Sequence, residues 1–127
     1  MIFVDSHVHT RHSSDGKDPI CDILAEAKAK GLYYLATTDH LDYDLKFGHN
    51  RSPIPWKHID LDAYKAEWEE NADALAKEGS ALKFRFGIEA GFSPEPQVQE
   101  KYAELFGRMR FDVVVNSVHF VNGWDVY

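Results

Sequence analysis

The chain has 127 residues, 44% hydrophobic and 28% charged, with 14 Lys+Arg against 21 Asp+Glu for a formal net charge of -7. These values argue against disorder and allow one domain, residues 1–127, or part of one. The acidic balance gives no electrostatic footing for nucleic acid, and a single cysteine, Cys21, excludes an intrachain disulfide. No stretch suits a membrane span or a secretory leader, so a soluble cytoplasmic protein with no membrane partner is expected.

Ile2–Val4 predicts the core of a first strand, with Asp5-Ser6-His7-Val8-His9 at its carboxyl end. Alternation would point Asp5, His7 and His9 to one side if the strand continues that far. Two imidazoles two residues apart form a compact nitrogen pair for Zn, Fe or Mn, and a neighbouring carboxylate can ligate or fix the imidazole tautomer. By itself the stretch fits a polar turn with surface histidines equally well. Asp18 then predicts a helix N-cap, with Pro19 in the first helical position. Ile20, Ile23, Leu24 and Ala27 form the apolar stripe of that helix, and Gly31 ends it. Cys21 has no base at suitable spacing and reads as a small helix residue.

Leu32–Thr38 predicts a second strand, apolar enough to be buried on both faces, and Asp39-His40 stands at its end. A long irregular segment, roughly residues 41–59, carries His49, Arg51, Trp56 and His58; loops of that length are commonly lids or binding loops. Trp56 reads as packing this loop onto the domain and His58 as ordinary surface. Asp60 predicts the N-cap of a second helix that turns Leu61, Tyr64, Trp68, Ala72, Leu75 and Ala76 inward and closes at Gly79. Glu67, Glu69, Glu70 and Asp73 read as its solvated face. Leu82–Ile88 is the third predicted strand, with Glu89 at its end. After Ser93-Pro94-Glu95-Pro96 a third helix turns Val98, Tyr102, Leu105, Phe106 and Met109 inward. Phe111–Val115 is the fourth predicted strand, expected to be buried on both sides. His119 follows it, and Trp124 and Tyr127 are expected to pack the chain end.

The order is βαβαβαβ, which implies right-handed crossovers and a parallel sheet. Ligand groups in such folds collect outside the carboxyl ends of the strands. His7 and His9, Asp39 and His40, Glu89, and His119 fall there on successive strands. Metal-competent groups on four successive strand ends point to one shared site rather than to chance.

Asp5-Ser6-His7-Val8-His9-Thr10, Thr38-Asp39-His40, Gly87-Ile88-Glu89-Ala90-Gly91 and Ser117-Val118-His119-Phe120-Val121 together resemble the first four motifs of the polymerase-and-histidinol-phosphatase superfamily. The last of them, with Gly123-Trp124 nearby, is most similar to its histidinol-phosphate phosphatase members. The resemblance implies an α/β fold, a distorted TIM-like (β/α)7 barrel, present here as an N-terminal βαβαβαβ portion. It implies two or three divalent metal ions (Zn, Fe or Mn) and hydrolysis of a phosphoester. His7 and His9 correspond to ligands of a first metal, Glu89 to the carboxylate bridging first and second, and His119 to a ligand of the second. Asp15 and His40 correspond to ligands of a third, while Asp39 holds a supporting place. Glu89, Asp39 and His40 are thus the catalytic candidates. His12 stands where an aromatic is common and is not counted as a ligand.

The implied substrate is a small phosphomonoester, histidinol phosphate of histidine biosynthesis above all. Arg11 and Arg51, with Lys46 and His49, are the local cations that could hold its phosphate, although each also reads as a solvated loop charge. Two alternatives stand beside this: a nucleotide or other phosphoester as substrate, or a non-catalytic or weakly active metal-binding or assembly fragment. No Walker A or Rossmann fingerprint supports a nucleoside triphosphate or dinucleotide.

The family barrel is about twice this length. Its later motifs, a further histidine and an Asp-x-His pair, do not occur here, so each metal keeps an incomplete protein shell. Barrel closure also removes strand edges, which these strands alone would leave bare. The sequence therefore fits a fragment of a longer protein, a short form whose homodimer completes a barrel, or a short fold with degraded activity.

Overall fold

In a computed structural model, which describes residues 3–45, 52, 54–121 and 124–126, the apolar runs and amphipathic stretches alternate as βαβαβαβ. The elements are β1 (Val4–Val8), α1 (Ile20–Ala29), β2 (Tyr34–Leu41), α2 (Leu61–Glu78), β3 (Lys83–Gly91), α3 (Pro96–Arg108) and β4 (Val113–Ser117). A small antiparallel pair, β5 (Phe120–Val121) and β6 (Trp124–Asp125), follows where the sequence predicts no strand. Strands β1 to β4 are parallel and lie in their chain order, forming a curled half-barrel. Chain order without a reversal is the arrangement of a barrel wall; a doubly wound sheet would reverse.

Packing follows position in the sheet. Leu35, Phe84, Phe86 and Ile88 of the central strands are buried with Ile20, Leu24, Tyr64, Val98, Tyr102 and Leu105 of the helices. Tyr64 is wholly buried, and its hydroxyl lies 2.7 Å from Thr37 Oγ1 and 3.0 Å from the Gly87 carbonyl, tying α2 to both central strands. The edge strands differ. Val113 and Val115 are half-buried and Val114 is 48% exposed, so β4 is not buried on both sides as its composition predicts. Phe106, expected inward, is 42% exposed for the same reason: it lies along the open β4 flank beside Phe111. Apolar composition reports what a strand can bury, and no element among the described residues covers this edge.

The helix ends bring one correction. Asp60 caps α2 through a 3.0 Å bond from Ala63 N, and Gly79, at φ 67, closes it as the spacing predicts. At α1, however, Pro19 occupies the N-cap and Asp18 does not cap. The cap comes from α2, whose Glu67 Oε1 accepts from Ile20 N at 3.0 Å. Glu67 is thus no solvated-face residue. Its other oxygen takes Arg11 Nε at 3.0 Å and lies 2.6 Å from His12 Nε2, binding the loop after β1 to both helices.

Burial pushes the Glu67 carboxyl up, but the Ile20 N–H, His12 and Arg11 outweigh it and hold the group below its ordinary value of 4.5. A depressed carboxyl adds stability that is present above the unfolded value and is lost as pH falls through the folded one. Glu67→Gln should therefore cost about 1 kcal/mol near neutrality, and the cost should shrink as pH drops below about 4.5. Urea unfolding of parent and variant across that range reads the difference; a gap independent of pH would contradict it. Among the described residues no helix is long and apolar enough to cross a membrane.

Candidate metal centre

Strand register brings the polar strand ends to one level. His40 of β2 and Glu89 of β3 are Cα partners, and Gly91 is partnered by Ser117, two residues before His119. On the other flank, Asp5 pairs with Leu35 and Val8 with Thr37, so three steps along β1 match two along β2. This bulge interrupts the alternation that would have put Asp5 beside His7 and His9. Asp5 instead lines the groove between β1 and α1, while His7 and His9 face Glu89. Bulges commonly re-aim side chains in this way beside functional sites.

Glu89 is the hub. Its Oε2 lies 3.0 Å from His7 Nε2, 2.9 Å from His9 Nε2 and 3.2 Å from His40 Nδ1. Its Oε1 lies 3.0 Å from His119 Nε2. One carboxylate thus offers a separate oxygen to each side, an arrangement an imidazole cannot provide. His7 Nε2 and His9 Nε2 are 3.1 Å apart. Asp15 reaches the opposite nitrogen of His9, with Oδ1 at 3.0 Å from Nδ1, and its Oδ2 stands 3.4 Å from His40 Nε2. The loop can bring Asp15 back because residue 16 is glycine: a Cβ on Gly16 would sit 1.9 Å from the Thr10 carbonyl oxygen.

The surroundings hold these groups in place. Asp39 is completely buried and accepts from Thr10 N at 2.6 Å and Thr10 Oγ1 at 2.7 Å, so it anchors the residue after His9 and does not face the cluster. Trp56 is buried with its ring 4.8 Å from His40 and 5.4 Å from His119, and its Nε1 donates to Asp125 Oδ2 at 2.9 Å. Ser52 also bonds Asp125, so Ser52 and Trp56 join the β5–β6 pair beside the histidines. Sequence reasoning gives Trp56 a packing role without its partners. It misses Asp42, whose Oδ1 is 2.8 Å from His119 Nδ1, although extending the β2 alternation past His40 through Leu41 would have placed residue 42 on the same side. Arg11 is committed to Glu67, and His12, which is not counted as a ligand, pairs with the same carboxylate. Arg51, Lys46 and His49 lie outside the described residues.

The electrostatics follow from crowding. Burial raises the Glu89 carboxyl, yet hydrogen bonds from His119, His9, Ser117 and His7 hold it far below the carboxylate range. Burial lowers His119, but Asp42 and Glu89 outweigh it and raise the ring to about 9. His9 is likewise raised by Glu89 and Asp15 against burial, whereas burial and the neighbouring His9 lower His40. Burial pushes Asp15 up, and His9 and His40 bring it below its ordinary value. Burial raises Asp39 despite its bonds to Thr10.

This donor set fits metal ions. Ligands 2.0–2.1 Å from one ion stand about 2.8–3.4 Å apart, a range that holds the 2.9–3.1 Å spacings among His7, His9 and Glu89. His9, Asp15 and His40 form a second such group, and His40, Asp42 and His119 a third. His40 Nδ1 and Asp42 Oδ2 are buried without a hydrogen-bond partner, the former because its approach to Glu89 lacks hydrogen-bond geometry. Buried polar atoms normally find partners.

Known proteins share the sequence pattern and the fold. The chain is 27% identical to a probable histidinol-phosphatase of Clostridium acetobutylicum across 100% of its own length and 43% of that protein. It is 27% identical to another from Deinococcus radiodurans, over 94% of the chain and 43% of the relative. It thus spans less than half the length of these relatives. Its fold matches that of histidinol phosphate phosphatase (HISK) from Lactococcus lactis, crystallised with zinc, L-histidinol and phosphate. That match has a TM-score of 0.75 and 23% identity, covering 98% of this chain and 43% of that one. The pattern of the PHP domain matches residues 5–127, and the chain belongs to the PHP domain family.

Proposed function

We propose that the chain supplies the metal-binding wall of a metal-dependent phosphatase that hydrolyses a small phosphomonoester, histidinol phosphate foremost. One observation carries this reading: four successive strand ends converge on Glu89, with His7, His9 and His40 at one oxygen and His119 at the other. In it, His7 and His9 hold one ion with Glu89, His119 holds a second with the other Glu89 oxygen, and Asp15 and His40 serve a third. Such ions, Zn, Fe or Mn, lower the pKa of water, polarise the phosphoryl oxygens and stabilise the leaving oxygen.

The protein's own groups supply the rest. Glu89 offsets cationic charge with both oxygens, which only an ionised carboxylate can do. Asp39 fixes the turn at Thr10 and so the spacing of His9 from Glu89. Trp56 covers the rings of His40 and His119 and keeps bulk water from that side. His40 is buried among the ligand groups, so its part in catalysis is to hold an ion through a neutral ring. A phosphate dianion would be met by cations of the loop, Arg51 among them, or by Arg11 once it leaves Glu67.

A second reading, a metal-binding or assembly domain without turnover, draws on the apolar β4 flank around Phe106 and Val114, uncovered among the described residues. A second copy pairing along the sheet edges would cover it. Reconstitution with Mn, Zn or Fe separates the two readings. The phosphatase reading expects phosphate release from histidinol phosphate, and more slowly from an aryl phosphate, abolished by a chelator. Metal uptake with no turnover, accompanied by a dimer mass, would favour assembly.

A further inference from the structure

Asp42 lies just past β2 and is buried to 6% exposure, against a His119 that is buried to 1%. Its Oδ1 is 2.8 Å from His119 Nδ1, while the other nitrogen of that ring, Nε2, is 3.0 Å from Glu89 Oε1. A buried carboxylate is costly unless paired, so this contact is built rather than incidental. Two further features build it. A Cβ on Gly91 would sit 1.8 Å from Asp42 Oδ1 and 3.2 Å from His119 Nδ1, so no side chain fits on the β3 backbone beside the pair. The Tyr102 hydroxyl lies 2.7 Å from the Leu41 carbonyl and 2.9 Å from the Gly91 carbonyl, its one proton shared between them. α3 thereby pins the residue before Asp42 and the glycine that gives Asp42 room.

We propose that Asp42 is a positioning residue: by accepting the Nδ1 proton of His119 it fixes the ring so that Nε2 is the nitrogen turned to the Glu89 side and to an ion held there. The role rests on the metal reading above. An imidazole has two nitrogens, and a ring free to choose its tautomer or flip would offer the wrong one part of the time. A carboxylate on the far nitrogen removes that choice and makes the near nitrogen more basic. His40 at 4.5 Å and Trp56 at 5.4 Å between ring centroids limit rotation of the ring plane. Asp42 is also close enough to His40 and His119 to be a ligand itself. The two roles exclude each other, because Nδ1 cannot give its proton to Asp42 while both grip one ion, and the test below separates them.

The test compares zinc binding by the parent chain, Asp42→Asn and Asp42→Ala, using competition with a chromophoric chelator, elemental analysis for ion number and circular dichroism for fold. Nitrogen-15 spectra of the histidine rings report the Nδ1 proton of His119. The expected result is an unchanged number of ions, affinity lowered about 10–100-fold in Asp42→Ala, and a smaller loss in Asp42→Asn, whose amide oxygen still accepts. The His119 Nδ1–H should resist exchange with solvent in the parent and exchange markedly faster in Asp42→Ala, which has no acceptor for it. Loss of one whole ion in both variants would make Asp42 a ligand and overturn the proposal. Unchanged affinity in both would overturn it while leaving the metal reading intact. A parent that shows the Nδ1–H signal but takes up no zinc would overturn the metal reading, and this role with it. If Asp42→Ala fails to fold, Asp42→Asn decides: weaker binding at unchanged ion number supports the role, and unchanged binding rejects it.

Discussion

Glu89→Gln should strip the bound metal while the fold persists. The substitution nearly preserves size but removes the charge that both oxygens present to His7, His9, His40 and His119. An amide has one acceptor oxygen, so one side of the cluster would face an NH2 group that cannot ligate. Affinity should fall by more than the roughly 10–100-fold typical of residues that only support a ligand. The fold should survive because α1, α2 and α3 pack on Leu35, Phe84, Phe86 and Ile88, away from the carboxyl ends of the strands. Elemental analysis after identical purification reads the loss. Equal metal content in parent and variant would remove Glu89 from the centre of the account.

The second large effect is expected at Asp39. Asp39→Ala would leave the buried Thr10 N–H and hydroxyl without their acceptor, and unpaired buried donors cost about 1–3 kcal/mol each. Relief of a buried charge offsets part of this, so a net loss of about 3 kcal/mol is expected. Thr10 follows His9 directly, so metal affinity should fall as well. Urea unfolding and zinc titration measure the two effects separately. A variant as stable as the parent would show that Asp39 does not anchor the β1 loop.

These two residues also show what the sequence could and could not reveal. The alternation of apolar runs with helical stripes made the βαβαβαβ order legible, and with it the placing of His40, Glu89 and His119 at strand ends. Asp39 and His40 are neighbours and both are buried, yet they face different partners: His40 turns to Glu89, and Asp39 turns to Thr10. Asp5 departs from the alternation because the bulge between it and Val8 leaves no mark in an alternating pattern. Glu67 looks solvated in the sequence because its partners, Arg11, His12 and Ile20, lie some fifty residues away and no local pattern signals them. The loop carrying Trp56 looked functional by its length, but its contacts with Asp125, His40 and His119 depend on tertiary closure.

The most direct test of the central claim is a crystal structure of the metal-reconstituted chain with anomalous data at the zinc, iron and manganese edges. The account predicts one ion within ligand distance of His7, His9 and Glu89, and another within ligand distance of Glu89 and His119, about 3.5–4 Å apart as in two-metal sites. No ion at Glu89, or ions bound only at surface histidines such as His58, would contradict it.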